Sequence, residues 1–380
     1  MVAIINGRIV LPDGVVSGRA LLFGDQIVGV VPADQVPPEA EVLDAQNDYV
    51  CPGLIDVHIH GYLGKDASDT DLDGIRTIAE GIAQNGVTGF LPTTMTVSYD
   101  TLERAFEVIR AAKCVSEGDA WDGAQVLGVN AEGPFINAKK KGAQAEEYVR
   151  VPDAAFIIKH ADVIRLCTLA PDVPGALEFI REVRARTDVR VSMGHTAATY
   201  EQVVAGAEAG ATHITHLFNA MSPLSHRAPG VPGAALARKD LFAEMICDTF
   251  HVHPALFGPV LAAKGDHLVL ITDCLSAGGL PDGQYTLGGA DVIREGIECR
   301  LKDGTIAGSV LTLNRAVANL MKHAGAPVEQ AVHLASLSPA KAIGVDGFKG
   351  SLEPGKDADV WLADEQMNAR AVFLRGRRIR

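Results

Sequence analysis

Eight short apolar runs recur along the middle of this 380-residue chain, at 54–60, 89–93, 126–132, 163–169, 189–195, 211–216, 242–247 and 268–273. Each is of strand length, and most lack a polar face, as strands buried on both sides do. Segments with helical periodicity follow most of them, at 71–85, 99–112, 175–186, 200–209, 254–264 and 311–324. Strand-then-helix alternation implies a parallel sheet covered by helices, because a parallel crossover needs a dozen or more residues. Eight repeats predict an α/β fold of the (β/α)8 TIM-barrel type over residues 53–348. A doubly wound open sheet is the competing architecture. No Gly-x-Gly-x-x-Gly follows the first run to support it.

The two ends of the chain read differently. Apolar runs at 3–5, 8–11, 20–23 and 26–30 are separated by Asn6-Gly7, Pro12-Asp13-Gly14 and Gly24-Asp25. Runs at 358–362 and 371–374 are followed by Arg375-Gly376. These are strands joined by turns. Neither end is long enough to enclose a core. Residues 1–52 and 349–380 are therefore expected to combine into one small β-sandwich domain, with the barrel inserted between them.

Charge narrows the function classes. Lys and Arg number 34 against 47 Asp and Glu, a formal net charge of −13. That balance disfavours non-specific binding to nucleic acid or to an anionic membrane. It leaves room for a small anion held by a few local cations. No run of 18 uncharged apolar residues is present, so no membrane span is expected. The stretch Met1-Val2-Ala3-Ile4-Ile5-Asn6-Gly7 has no secretory pattern. Six scattered cysteines without a Cys-x-x-Cys point to a reduced, cytoplasmic protein with neither disulfides nor a thiolate metal site.

The chemistry collects at the ends of the predicted strands. The first ends in His58-Ile59-His60, the third in Glu132, the fifth in His195, the sixth in His216 and the eighth in Asp273. In a barrel these ends converge on one mouth, where active sites are built. Residues i and i+2 of a strand face the same way, so His58 and His60 share a side. Imidazoles with carboxylates form a ligand set for zinc, iron, cobalt or manganese. His213 and His226 are weaker: the first is a neighbour or spare ligand three residues before His216, and the second sits in a loop.

The motifs Pro52-Gly53-Leu54-Ile55-Asp56-Val57-His58-Ile59-His60-Gly61, Ala131-Glu132-Gly133-Pro134-Phe135-Ile136, Gly194-His195-Thr196 and Thr215-His216-Leu217-Phe218-Asn219-Ala220-Met221 carry a resemblance. So do His226-Arg227-Ala228-Pro229-Gly230, His251-Val252-His253-Pro254, Thr272-Asp273 and Ala307-Gly308-Ser309. In order and spacing the chain resembles the amidohydrolase superfamily, and within it the deacetylases of phosphorylated N-acetyl amino sugars. His-x-His alone is shared by many hydrolases; the Glu-Gly-Pro-Phe and His-Leu-Phe-Asn-Ala-Met segments are far more specific.

The resemblance implies hydrolysis of the acetamide of N-acetylglucosamine 6-phosphate. Its galactosamine epimer, or an amide handled by another metal-dependent amidohydrolase, is the alternative. It implies one or two divalent metal ions (Zn, Fe, Co or Mn). Glu132, His195 and His216 would hold the principal ion, and His58 and His60 a second with Glu132 as bridge. Asp273 would act as general base and then general acid, and could touch a metal. Ala143, Gln144, Asn219, Ala220, Ile306, Ala307 and Gly308 match segments that line the sugar. Arg227 and His251 match phosphate-binding positions, which suits the two-pronged guanidinium. A homodimer is implied, with Arg227 reaching the neighbouring subunit's site. Two residues depart from the usual pattern. Gln144 replaces a histidine and cannot become cationic, and Ala228 replaces a glutamate.

Overall fold

The structure is a computed structural model describing residues 1–380. Eight parallel barrel strands run Leu54–Ile59, Val87–Thr94, a third in two pieces (Gln125–Val126 and Val129–Glu132), Ile164–Leu169, Arg190–Met193, His213–Ile214, Phe242–Ile246 and Leu268–Ile271. Neighbours in sequence are neighbours in the sheet, from the first strand to the eighth. The third strand breaks at Gly128, whose φ is +146°. A Cβ there would lie 2.7 Å from the Val163 carbonyl oxygen, so only glycine lets the strand kink and re-enter the sheet.

The ring closes between the first and eighth strands. Asp273 N donates to His58 O at 2.9 Å, and His60 N to Cys274 O at 2.8 Å. Across the same seam Thr272 Oγ1 donates to buried Asp56 Oδ2 at 2.6 Å. Further down, the backbones of Leu334 and Ala335 accept from Leu270 and Ile55, filling the gap where the two strands diverge.

The helices cover the ring because their apolar residues fall on one stripe. Leu72–Ala83 is typical: Asp71 caps it by accepting from Gly74 N at 2.8 Å, and Ile75, Ile78, Ala79 and Ile82 are buried. That spacing is one face of a helix, and burying each isoleucine contributes about 1.5–3 kcal/mol. Ile78→Asp would put a charge into that layer. No helix is long and apolar enough to cross a membrane.

Strands from both ends of the chain share one six-stranded sheet. Its order is Arg377–Arg378, Ala369–Leu374, Val360–Ala363, Tyr49–Pro52, Arg8–Leu11, Gly14–Val16. A four-stranded sheet of Ile27–Pro32, Arg19–Phe23, Val2–Ile5 and Glu41–Asp44 faces it. Ile4, Leu21 and Phe23 from one sheet meet Ile9, Val50, Val360 and Phe373 from the other, in a core separate from that of the barrel. A three-stranded antiparallel sheet, Gly283–Leu287, Ala290–Glu295 and Glu298–Leu301, is additional to the expected elements. All six cysteines are free.

Candidate active site

The mouth of the barrel holds a cavity of about 310 Å³, within the size range of small-molecule sites. Glu132 ends the third strand at its floor, and four imidazoles surround the carboxylate. Its Oε1 lies 3.0 Å from His216 Nε2, 3.1 Å from His195 Nε2 and 3.3 Å from His58 Nε2. Its Oε2 lies 3.4 Å from His60 Nε2 and accepts from Gln144 Nε2 at 2.5 Å. Asp273 Oδ1 is 3.2 Å from His60 Nε2 and 3.6 Å from His58 Nε2.

Four of these residues, His60, His195, His216 and Asp273, lie just past their strands rather than within them. His195, His216 and Asp273 have φ of +46°, +27° and +51°. Left-handed backbone costs a non-glycine residue on the order of 1–3 kcal/mol, and such strain gathers at functional sites. Here it turns the side chains from the strand direction into the mouth.

The residues fit a metal ion. The ligand atoms of His58, His60 and Glu132 lie within 4.8 Å of one another, and so do those of Glu132, His195 and His216. Nε2 of His195 and Nε2 of His216 are only 3.1 Å apart. Two ring nitrogens facing each other share at best one hydrogen bond, and the ionised carboxylate between them can only accept. His58 Nε2 is buried with no hydrogen-bond partner at all. Lone pairs converging in this way, from imidazole and carboxylate, are the donor set of first-row divalent ions.

Charge binds the cluster together. Burial pushes the Glu132 carboxyl up, but the His195 and His58 imidazoles outweigh it and hold it well below its ordinary range. Burial pushes His60 down, but hydrogen bonds and charge from Asp273 and Glu132 bring it up to about 9. A metal ion would have to displace such protons, because only neutral imidazole is a ligand.

Of the residues singled out from sequence, His60, Glu132, Ala143, Gln144, His195, His216, Asn219, Ala220, His251, Asp273, Ile306 and Gly308 line the cavity. His58 lies beneath its floor, fully buried. Ala307 is buried behind the lining, its N–H donating to Cys299 O at 3.0 Å. Arg227 is exposed in the 222–229 loop and is not among the lining residues. His213 points away from the mouth and stacks on Phe242, with ring centroids 5.2 Å apart. The Gln144 amide is fixed at both ends: its Oε1 accepts from Thr96 N at 2.6 Å while its Nε2 donates to Glu132.

Sequence reasoning missed several groups. Met95, Phe218, Leu287 and Thr305 also line the cavity. Asp248 shapes the loop that carries His251, accepting from its N–H at 2.8 Å and from its Nδ1 at 2.6 Å. Burial pushes His251 down, but this carboxylate more than compensates and raises it above its ordinary value. Glu244, in the seventh strand, accepts from His58 Nδ1 at 3.0 Å. Its signal was available: a lone acid inside the apolar run Phe242-Ala243-Glu244-Met245-Ile246.

An eight-stranded barrel with a carboxylate and four imidazoles at its mouth defines a class, and comparison with known proteins agrees with it. The chain belongs to the amidohydrolase family, whose profile matches residues 49–379. Among its relatives, the N-acetylgalactosamine-6-phosphate deacetylase of Escherichia coli O157:H7 is 37% identical over 97% of both chains. The N-acetylglucosamine-6-phosphate deacetylase of Bacillus subtilis (strain 168) is 36% identical, over 90% of this chain and 87% of the relative. The crystal structure of N-acetylglucosamine-6-phosphate deacetylase from Pasteurella multocida superposes with a TM-score of 0.93 at 32% identity, covering 99% of each chain.

Proposed function

We propose that this chain hydrolyses the acetamide of N-acetyl-D-glucosamine 6-phosphate, releasing D-glucosamine 6-phosphate and acetate, in amino-sugar catabolism. The observation that carries this reading is the Glu132 carboxylate ringed by four imidazoles with Asp273 beside them. The full-length similarity to deacetylases of phosphorylated amino sugars supplies the substrate class.

Glu132, His195 and His216 would hold one divalent ion, and His58 and His60 with Glu132 a second. Zinc, iron, cobalt and manganese all suit such ligands. Bound there, the metal would activate water and polarise the acetamide carbonyl. Asp273 takes a proton from the attacking water and returns it to the departing nitrogen, so that an amine rather than an amide anion leaves. Its place 3.2 Å from His60 keeps it at the floor of the cavity, beside the metal ligands. Gln144 keeps one amide hydrogen free beyond its bond to Glu132, enough to donate to the substrate. Asn219, Ala220, Ala143, Ile306 and Gly308 surround the sugar, with Ala307 backing that wall. His251 takes the phosphate from inside the cavity. Arg227 completes the clamp across a homodimer, reaching the partner's site; its exposed loop is consistent with that role. The protein works in the cytoplasm.

Purified protein with quantified metal would be offered N-acetylglucosamine 6-phosphate, its galactosamine epimer and unphosphorylated N-acetylglucosamine. Preference for the first is expected. Faster turnover of the epimer would reassign the sugar, and equal rates without phosphate would remove the roles given to Arg227 and His251.

A further inference from the structure

Glu244 is completely buried in the seventh barrel strand, Phe242–Ile246, whose other side chains are apolar. A carboxylate so far from water is costly unless its oxygens are used. One of them is used twice. Oε2 accepts from His58 Nδ1 at 3.0 Å and from the backbone N–H of His216 at 3.2 Å. Oε1 has no partner.

Those two donors belong to different clusters. His58 stands with His60 and Glu132, and His216 with His195 and Glu132. A carboxylate beside Nδ1 requires the proton to sit on Nδ1. In the neutral ring, the form that binds a metal, this leaves the lone pair of His58 on Nε2, the buried atom that has no hydrogen bond and lies 3.3 Å from Glu132. His60 and His195 are oriented more weakly, through the main-chain carbonyls of Thr93 at 3.1 Å and Lys140 at 2.9 Å. His216 Nδ1 has no partner, so its ring is aimed by its left-handed backbone, and Glu244 holds the N–H of that backbone.

We propose that Glu244 is the positioning residue of the metal centre: it sets the tautomer of His58 and braces the turn that aims His216, so that one carboxylate ties both ligand clusters together. The inference rests on the metal-dependent reading given above. A carboxylate behind a histidine ligand also raises the basicity of its ring and strengthens its hold on an ion.

The test uses the full-length protein and zinc as the probe, with Glu244→Gln and Glu244→Leu. Zinc affinity is measured by chelator competition, and the His58 ring is followed by nitrogen-15 NMR of the zinc-loaded protein, assigned with His58→Asn. Glu244→Leu is expected to weaken zinc binding about 10- to 100-fold and to lose the single Nδ1–H signal of His58. Glu244→Gln keeps an acceptor oxygen, so it should retain that signal and recover part of the affinity. Zinc binding as tight as wild type in both variants, with His58 unchanged, overturns the proposal. If the leucine variant does not fold, the glutamine variant decides: unchanged affinity overturns the proposal, and a several-fold loss supports it. Failure of the wild-type chain to take up zinc would instead strike at the metal-dependent reading itself.

Discussion

Ionisable side chains are buried in two places in this molecule, and the two are built on opposite lines. Near the sandwich, Lys349 is wholly buried and donates to Asp357 at 2.8 Å and Asp359 at 2.7 Å. Asp359 in turn accepts from Arg375 N at 3.0 Å. This group is complete as it stands: cation, anions and hydrogen bonds account for one another, and nothing is aimed at an empty point. At the barrel mouth the same kinds of group face each other with ring nitrogens 3.1 Å apart, and His58 Nε2 is left without a partner. Burial alone therefore does not mark a site. The distinguishing sign is the convergence of several such groups on one place, with left-handed backbone at three of them.

Substitutions should separate the two regions. The largest effect is expected from Asp273→Asn. It should lower kcat about 10²- to 10⁴-fold while metal content and the unfolding midpoint stay near wild type. Full activity in a variant that retained its metal would remove the acid–base role. Lys349→Met should do the reverse, leaving kcat within a few-fold but costing about 3–5 kcal/mol in urea unfolding, because two carboxylates lose their buried cation. A loss below 1 kcal/mol would show that the junction relaxes to admit water. Metal removal comes next. Adding zinc at about 100 times its dissociation constant should stabilise the stripped protein by about 2.7 kcal/mol. The gain should be the same in Lys349→Met, since the mouth and the junction share no partners.

The most gradual effect concerns a histidine that belongs to neither region. Burial holds His213 neutral, with its pKa pushed down to about 3. In the unfolded chain it would take up a proton near 6.5. Its contribution to stability is thus whole above pH 6.5 and is lost as the pH falls from there toward 3, by at most about 1.4 kcal/mol per unit. His213→Gln should flatten the acid limb of an unfolding profile between pH 6 and 4. An unchanged slope would assign that limb to other groups.

Much of this was legible from sequence, for physical reasons that can be stated. All eight barrel strands were visible because parallel strands buried on both faces leave unbroken apolar runs. The residues of the mouth were visible because polar side chains stand where those runs stop. His213 lies inside the sixth strand and His216 beyond it on a left-handed turn, so strand alternation could not relate their directions. The sheet at Gly283–Leu287 and Ala290–Glu295 went unread although Gly288-Gly289 joins its first two strands, a recognised hairpin signal. That omission also concealed Leu287 in the cavity wall. Glu244 was hidden differently: a charged residue inside an apolar run was averaged into the run. The strained turns at His195, His216 and Asp273 depend on tertiary contacts, which no local pattern encodes.

The seam between the first and eighth strands has a consequence for how the protein comes into being. The partners Asp56 and Thr272 are 216 positions apart in the chain. Contacts so distant carry a large loop-closure entropy, which slows folding. A growing polypeptide that already holds His58, His60, Glu132, His195 and His216 still lacks Asp273 and the strand that brings it to the mouth. The last barrel strand is thus the segment on which both closure of the ring and the full set of mouth residues wait.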